Sequence, residues 1–294
     1  MKDSTSYMLQ INAAVFLFGF SGVFSKYIAL PAVIITLGRV VFSSIVLFLV
    51  LKLRKQSLHI ASQKDGLVFL AMGALLAAHW TMFIYAIQIS SVAIGVITAS
   101  TFPLFATFIE PLFFPERLKP INILFALIIV AGVFILVPMD ALQGRVGMGV
   151  GYGMAASAAY AALSLVNRWF GSRYNGFVIS FYEQGIAALV LLPVLLVIPV
   201  AITLPVLGQL FVFGVVCTAL SHSLFINGLR GVTVQTASIL DGLETIYGIL
   251  FAFLLLGAVP TWREIIGGLV IVATAVVSSI YKEKSKAGHL EHAE

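Results

Sequence analysis

Residues 123–133, ILFALIIVAGV, and residues 265–275, IIGGLVIVATA, are similar apolar runs lying 265 − 123 = 142 positions apart. The same shift lays GVFSKYI (Gly22 to Ile28) on SLVNRWF (Ser164 to Phe170), and DGLVFLAMG (Asp65 to Gly73) on LGQLFVFGV (Leu207 to Val215). Any two apolar segments match at about this level, but one gap-free offset that also superimposes the ends of the runs marks a duplicated unit. The expected organisation is a first five-helix repeat over residues 1–142 and a second over 143–284. Residues 285–294 are expected to form a short, polar, disordered cytoplasmic tail.

Composition names the solvent around those repeats. Hydrophobic residues make up 61% of the 294-residue chain and charged residues 10%, with a mean hydropathy of +1.09. A soluble domain is nearer about half apolar and about a quarter charged, so the chain reads as an integral membrane protein. Strand barrels alternate apolar and polar residues, whereas these runs are continuous and long enough for helices crossing a roughly 30 Å hydrocarbon core. Ten spans are expected, near residues 8–25, 33–51, 67–87, 92–114 and 121–137, then 150–167, 177–198, 206–227, 234–256 and 264–281. The first apolar run is longer than the core of a signal peptide and no A-x-A site follows, so it reads as a retained span.

Loop charges orient the bundle. With the N-terminus in the cytoplasm, only Lys26, Arg145 and Arg263 of the 17 lysines and arginines fall outside, and Arg39 lies within a span. That bias places both termini on the cytoplasmic side of the inner (plasma) membrane. The net charge of +5 therefore reflects loops near anionic lipid, and nucleic acid is not an expected partner. Five crossings per half make the second half enter from the opposite side. Such inverted repeats are the architecture of secondary transporters.

The ends of the halves, PLFATFIEPLFFPERLKPINILFALIIVAGV and LETIYGILFAFLLLGAVPTWREIIGGLVIVATAV, resemble the paired signature of the EamA family in the drug/metabolite transporter superfamily. Pro103 matches the family proline, Glu116 with Arg117 and Leu118 its loop Glu-Arg-Leu, and Glu244 the acidic residue of its second-half Leu-Glu-Pro. Thr245 stands where that proline would be, and Ala258 where the second loop glutamate would be. The resemblance implies ten spans in a five-plus-five arrangement and a central cavity lined by both halves. It also implies export of amino acids or similar small metabolites, as in the branch that includes aromatic amino-acid exporters.

Polar residues at depth point to the site. Between Val232 and Trp262 no lysine or arginine occurs, yet ILDGLETIYGIL (Ile239 to Leu250) carries Asp241 and Glu244. At about 1.5 Å per residue from the cytoplasmic end they lie about 10 and 15 Å deep. A carboxylate there must be protonated, paired or facing water, and marks a substrate or ion pathway. The two share a helical flank with Ser238, Gly242, Thr245 and Gly248, a set that also suits tight helix packing. His79, followed by Trp80, falls near midplane and suits either a proton relay or a bridge between helices. Arg39 lies roughly 9 Å below the outer surface, where it either grips a carboxylate or snorkels outward. Tyr85 is a further substrate contact to test, and Glu183, Tyr182 and His222 are gating or packing residues nearer the cytoplasm.

No Walker loop, dinucleotide fingerprint or H-E-x-x-H motif occurs, so no cofactor, metal or catalytic residue is expected. Cys217 is solitary and reads as an apolar filler. The leading expectation is an exporter of amino-acid-like metabolites, with protons as possible partners and lipid as its surroundings. Carriers of nucleotide sugars or cationic drugs, or an intramembrane enzyme using His79 with a carboxylate, are the alternatives. Midplane acids suit a cation and repel a phosphate.

Overall fold

The computed structural model describes residues 2–113, 120–136, 144–232 and 234–291. Every regular element among the described residues is a helix: α1 (Lys2–Tyr27), α2 (Ala32–Leu53), α3 (Gln63–Ile89), α4 (Val92–Ala99), α5 (Phe102–Phe113), α6 (Pro120–Leu136) and α7 (Arg145–Phe170). After these come α8 (Gly176–Leu191), α9 (Leu204–Gly214), α10 (Ser221–Gly228), α11 (Val234–Leu256) and α12 (Trp262–Glu291). Seven helical stretches among the described residues are long and apolar enough to cross a membrane, and Ile123–Leu136 is a shorter apolar helix. The chain is a multi-pass membrane protein. Glu116, Arg117 and Leu118 lie outside the described residues.

Side-chain caps fix several helix starts. Ser62 accepts from the amide of Asp65 at 3.1 Å, Ser91 from that of Ile94 at 3.1 Å, and Asn175 from that of Phe177 at 2.9 Å, each satisfying an amide that the first turn leaves free. Ser91 also donates to Glu264 at 3.1 Å, and Glu264 accepts from the amide of Thr261 at 2.6 Å, so the starts of α4 and α12 are tied together.

Three of the expected spans are interrupted, each for a local reason. The span expected over 92–114 breaks into α4 and α5 around Ser100 and Thr101. Pro103 has no amide hydrogen, so the carbonyl of Ala99 four residues earlier loses its helical donor; the hydroxyl of Ser157 on α7 donates to it instead, at 3.0 Å. The span expected over 206–227 contains a π-helical turn, Val215–Leu220, between α9 and α10. The span expected over 177–198 tightens after Leu191 into a 3₁₀ turn, Leu192–Leu196, with Pro193 at its start. Thr245, in place of the family proline, keeps its amide, and α11 runs unbroken. The tail from residue 285, expected to be disordered, is helical as far as Glu291, in keeping with the helix formers Lys, Ala, Leu and Glu in that stretch.

The helices pair in a pattern that places a space at their centre. α3 packs along α7 and α8, α1 along α10 and α11, α7 against α4 and α5, and α2 against α8 and α9, while α6 lies on α12. Glycine permits the closest crossings. A β-carbon on Gly19 of α1 would lie 3.0 Å from the amide nitrogen of Gly248 and 3.1 Å from the carbonyl oxygen of Glu244, so α1 rests on the backbone of α11. One on Gly267 of α12 would lie 2.9 Å from the carbonyl of Gly132 on α6.

Gly267→Leu is therefore expected to force α6 and α12 apart at a cost of about 1–3 kcal/mol. The thermal unfolding midpoint in detergent should fall by several degrees. Gly185→Ala, where nothing lies within 4 Å of the added carbon, should not lower it.

Candidate functional site

A cavity lies where α1, α2, α3, α4, α7, α10 and α11 converge. It collects most of the candidate residues: Arg39 from α2, His79 and Trp80 from α3, Asp241 and Glu244 from α11, and His222, expected nearer the cytoplasm as a gating or packing residue, from α10. On α3, His79, Trp80 and Phe83 share a face, as positions i, i+1 and i+4 do. Tyr85 comes five residues after Trp80, about 140° round the helix. It is 38% exposed, sits edge-on to Tyr152 at 4.9 Å and does not line the cavity.

Arg39 is 1% exposed, so it does not snorkel. Its guanidinium lies over Trp80 at 4.0 Å and Phe213 at 4.4 Å from the ring centroids. Nε donates to the hydroxyl of Thr218 at 2.8 Å and Nη2 to the carbonyl of Cys217 at 3.1 Å. Both acceptors belong to the π turn, where Thr218 also donates to the carbonyl of Phe213 at 2.9 Å. The turn thus serves as the arginine's socket, one of the uses to which π-helical insertions are put. Among the described residues, Nη1 has no hydrogen-bond partner and no carboxylate lies within the 4 Å of an ion pair. A guanidinium so braced keeps one donor group for a partner that enters the cavity.

Opposite stand the two carboxyls of α11. Asp241 is 5% exposed and its Oδ1 has no hydrogen-bond partner; Glu244 is partly buried. The small flank of α11 that accompanies them performs the packing expected of it. The hydroxyls of Thr245 and Ser100 are hydrogen-bonded to each other, Thr245 donates to the carbonyl of Val96 at 3.2 Å, and Gly248 abuts Val96. One flank of α11 therefore does both jobs, Asp241 and Glu244 meeting the cavity while Thr245 and Gly248 clasp α4.

His79 bridges α3 and α7. Nδ1 lies 2.8 Å from the carbonyl of Ala156, which only accepts, so Nδ1 carries the hydrogen and Nε2 of the neutral ring is an acceptor. The ring stacks on Tyr160 at 4.7 Å, and the hydroxyl of Tyr160 is buried without a hydrogen-bond partner. Glu183 and His222 are brought together: Nε2 of His222 and Oε2 of Glu183 are 2.6 Å apart, both side chains nearly fully buried. Tyr182 points elsewhere, donating to the carbonyl of Leu58 and packing on Phe69 at 4.7 Å.

Several residues of the site carry little signal in the sequence. Phe18, Ser21 and Ser157 line the cavity and Phe213, Cys217 and Thr218 seat the arginine. Only Ser157 is recoverable in principle, since a freed carbonyl below Pro103 requires a donor from a neighbour. Arg168 and Arg173, which read as topology signals, also make ion pairs, Arg168 with Glu110 at 3.7 Å and Arg173 with Asp65 at 3.1 Å.

Comparison with known proteins gives the family. The model of the EamA-like transporter family matches residues 5–137 and again 147–280. The human solute carrier family 35 member G1 is 25% identical over 288 residues, covering 92% of this chain and 77% of that protein. An uncharacterized transporter of Archaeoglobus fulgidus is 28% identical over 130 residues, covering 44% of this chain and 47% of its own length, so that match spans about half of the archaeal protein. A solved protein crystal structure superposes with a TM-score of 0.67 at 17% identity, over 95% of this chain and 98% of that one, which shows a shared fold. With the family matched over both halves, the chain belongs to the EamA-like transporter family and is a membrane transporter.

Proposed function

We propose that the chain exports small amino-acid-like metabolites across the inner (plasma) membrane, by alternating access between two inverted five-helix halves. Protons compete with substrate at Glu244. The observation that carries the substrate class is the cavity itself. Two carboxyls on α11 face a guanidinium that spends Nε and Nη2 on the π turn and keeps Nη1. An ammonium suits the first wall and a carboxylate the second, while Phe18, Phe83, Trp80 and Tyr160 supply apolar and aromatic surface for a side chain. A bare phosphate would meet Asp241 and Glu244.

Three observations support duplication and inversion. The family matches begin at 5 and 147, an offset of 147 − 5 = 142, the same as in the sequence. The helices follow it closely: α6 begins at Pro120 and α12 at Trp262, 262 − 120 = 142 positions on, and α2 begins at Ala32 and α8 at Gly176, 176 − 32 = 144 positions on. The pairings exchange under the same shift, α3 with α7 answering α10 with α1, and α1 with α11 answering α7 with α4 and α5. Counting α4 and α5 as one crossing and adding α6 gives the first half five, so an axis relating the halves lies in the membrane plane. The loop lysines and arginines support cytoplasmic termini.

A panel of radiolabelled amino acids and their decarboxylated amines, tested in proteoliposomes, examines this reading. Counterflow is expected in sealed vesicles and not in permeabilised ones, whereas an intramembrane enzyme would form product in detergent without any gradient. Arg39→Lys, which replaces the planar fork held by Thr218 and Cys217 with a point charge, is expected to weaken amino-acid transport by about tenfold or more. The matching amines should lose much less; equal loss in both series would make Arg39 a structural residue.

A further inference from the structure

The pair Glu183 and His222 has no part in the substrate reading, yet its chemistry is specific. Nε2 and Oε2 are 2.6 Å apart, a separation at which two lone pairs cannot face one another, so a hydrogen lies between them. If that hydrogen is the only one on the imidazole, the buried pair carries a net negative charge; one further proton makes it neutral. Glu183 is 0% exposed and its Oε1 has no hydrogen-bond partner, so the charged form has little to stabilise it. Nδ1 of His222 makes no hydrogen bond to the protein, and His222, unlike Glu183, lines the cavity. The proton's acceptor therefore meets the space through which a proton arrives.

We propose that Glu183 and His222 form a proton-binding site, distinct from the carboxyls of α11, that takes up and gives back one proton during the transport cycle. The proposal rests on the transporter reading above. The titratable and charged groups around the pair are Arg39 from α2, His79 from α3, Tyr160 from α7, Cys217 from the π turn and Asp241 and Glu244 from α11. Trp80 links the pair to the substrate site. Arg39 lies over its ring at 4.0 Å and His222 meets it edge-on at 5.2 Å and 67°. A substrate carboxylate at Arg39 offsets a positive charge beside the pair and favours loading the proton; an emptied site disfavours it. Binding of substrate and of proton are thereby coupled, and the coupling is reciprocal. When the proton is loaded it adds to the Nδ1 lone pair of His222; when it is released, Nδ1 returns to an acceptor, with no other bond made or broken.

Trp80 also provides a reporter that needs no substrate. With Trp169→Phe and Trp262→Phe, it is the remaining tryptophan. In purified full-length protein its emission should change with pH, because an imidazolium at contact quenches indole. That change should vanish in His222→Gln and persist in His79→Gln. A pH response that His222→Gln leaves intact, or no response at all, overturns the proposal. In proteoliposomes, Glu183→Gln, which keeps a hydrogen-bonding group of the same shape, should lose accumulation driven by a pH gradient at least about tenfold more than amino-acid exchange. Equal loss of both would mark a mere clasp between α8 and α10 and overturn it. Absence of amino-acid exchange in the parent protein would instead contradict the substrate class, and the fluorescence result alone would then decide the proton site.

Discussion

Two carboxyls and a guanidinium face one cavity inside a membrane protein without pairing directly, and the rest of the site follows from that constraint. Unpaired charge is costly in a medium of low dielectric, so each group is held by something short of neutralisation. Arg39 is clamped by two rings and two π-turn acceptors. The acids are carried on a helix that Thr245 and Gly248, on the same flank, fasten to α4. A charged partner that completes the balance then meets an arginine already oriented by its socket. That is the preorganisation a selective carrier requires.

The helix irregularities belong to the same scheme. The break before Pro103 exposes the carbonyl of Ala99, and the donor that satisfies it, Ser157, brings α7 to the cavity wall. The π turn at Val215–Leu220 does the corresponding work for Arg39. Both lie where α-helical regularity would leave no acceptor or donor free for tertiary use. Irregular backbone at such depth is sustained because neighbouring side chains and the cavity satisfy it.

The helical membrane fold and the deep polar residues were legible because they depend on composition and periodicity. Asp241 and Glu244 stand out against an apolar stretch, and His79, Trp80 and Arg39 fall at compatible depths. Tyr85 failed to reach the cavity for a simple reason: depth places a residue along the helix axis but not around it, and only packing partners decide the angle. The socket of Arg39 was hidden, since Thr218 and Cys217 acquire their role from a π turn that no local motif announces. The contact between Glu183 and His222 was hidden likewise, because it joins helices far apart in the chain. Gly267 and Gly19 act through backbone proximity, which a sequence records only as the absence of a side chain.

The central claim is that one carboxyl, Glu244, serves substrate ammonium and proton in turn. Substrate affinity measured as a function of pH in Glu244→Gln tests it most directly, since the amide matches the protonated acid in shape and removes only its titration. The account predicts a folded protein whose affinity is lower and nearly independent of pH across the range where the parent's varies. Unchanged affinity with an unchanged pH profile would contradict it, and would leave Glu244 as a packing residue of α11.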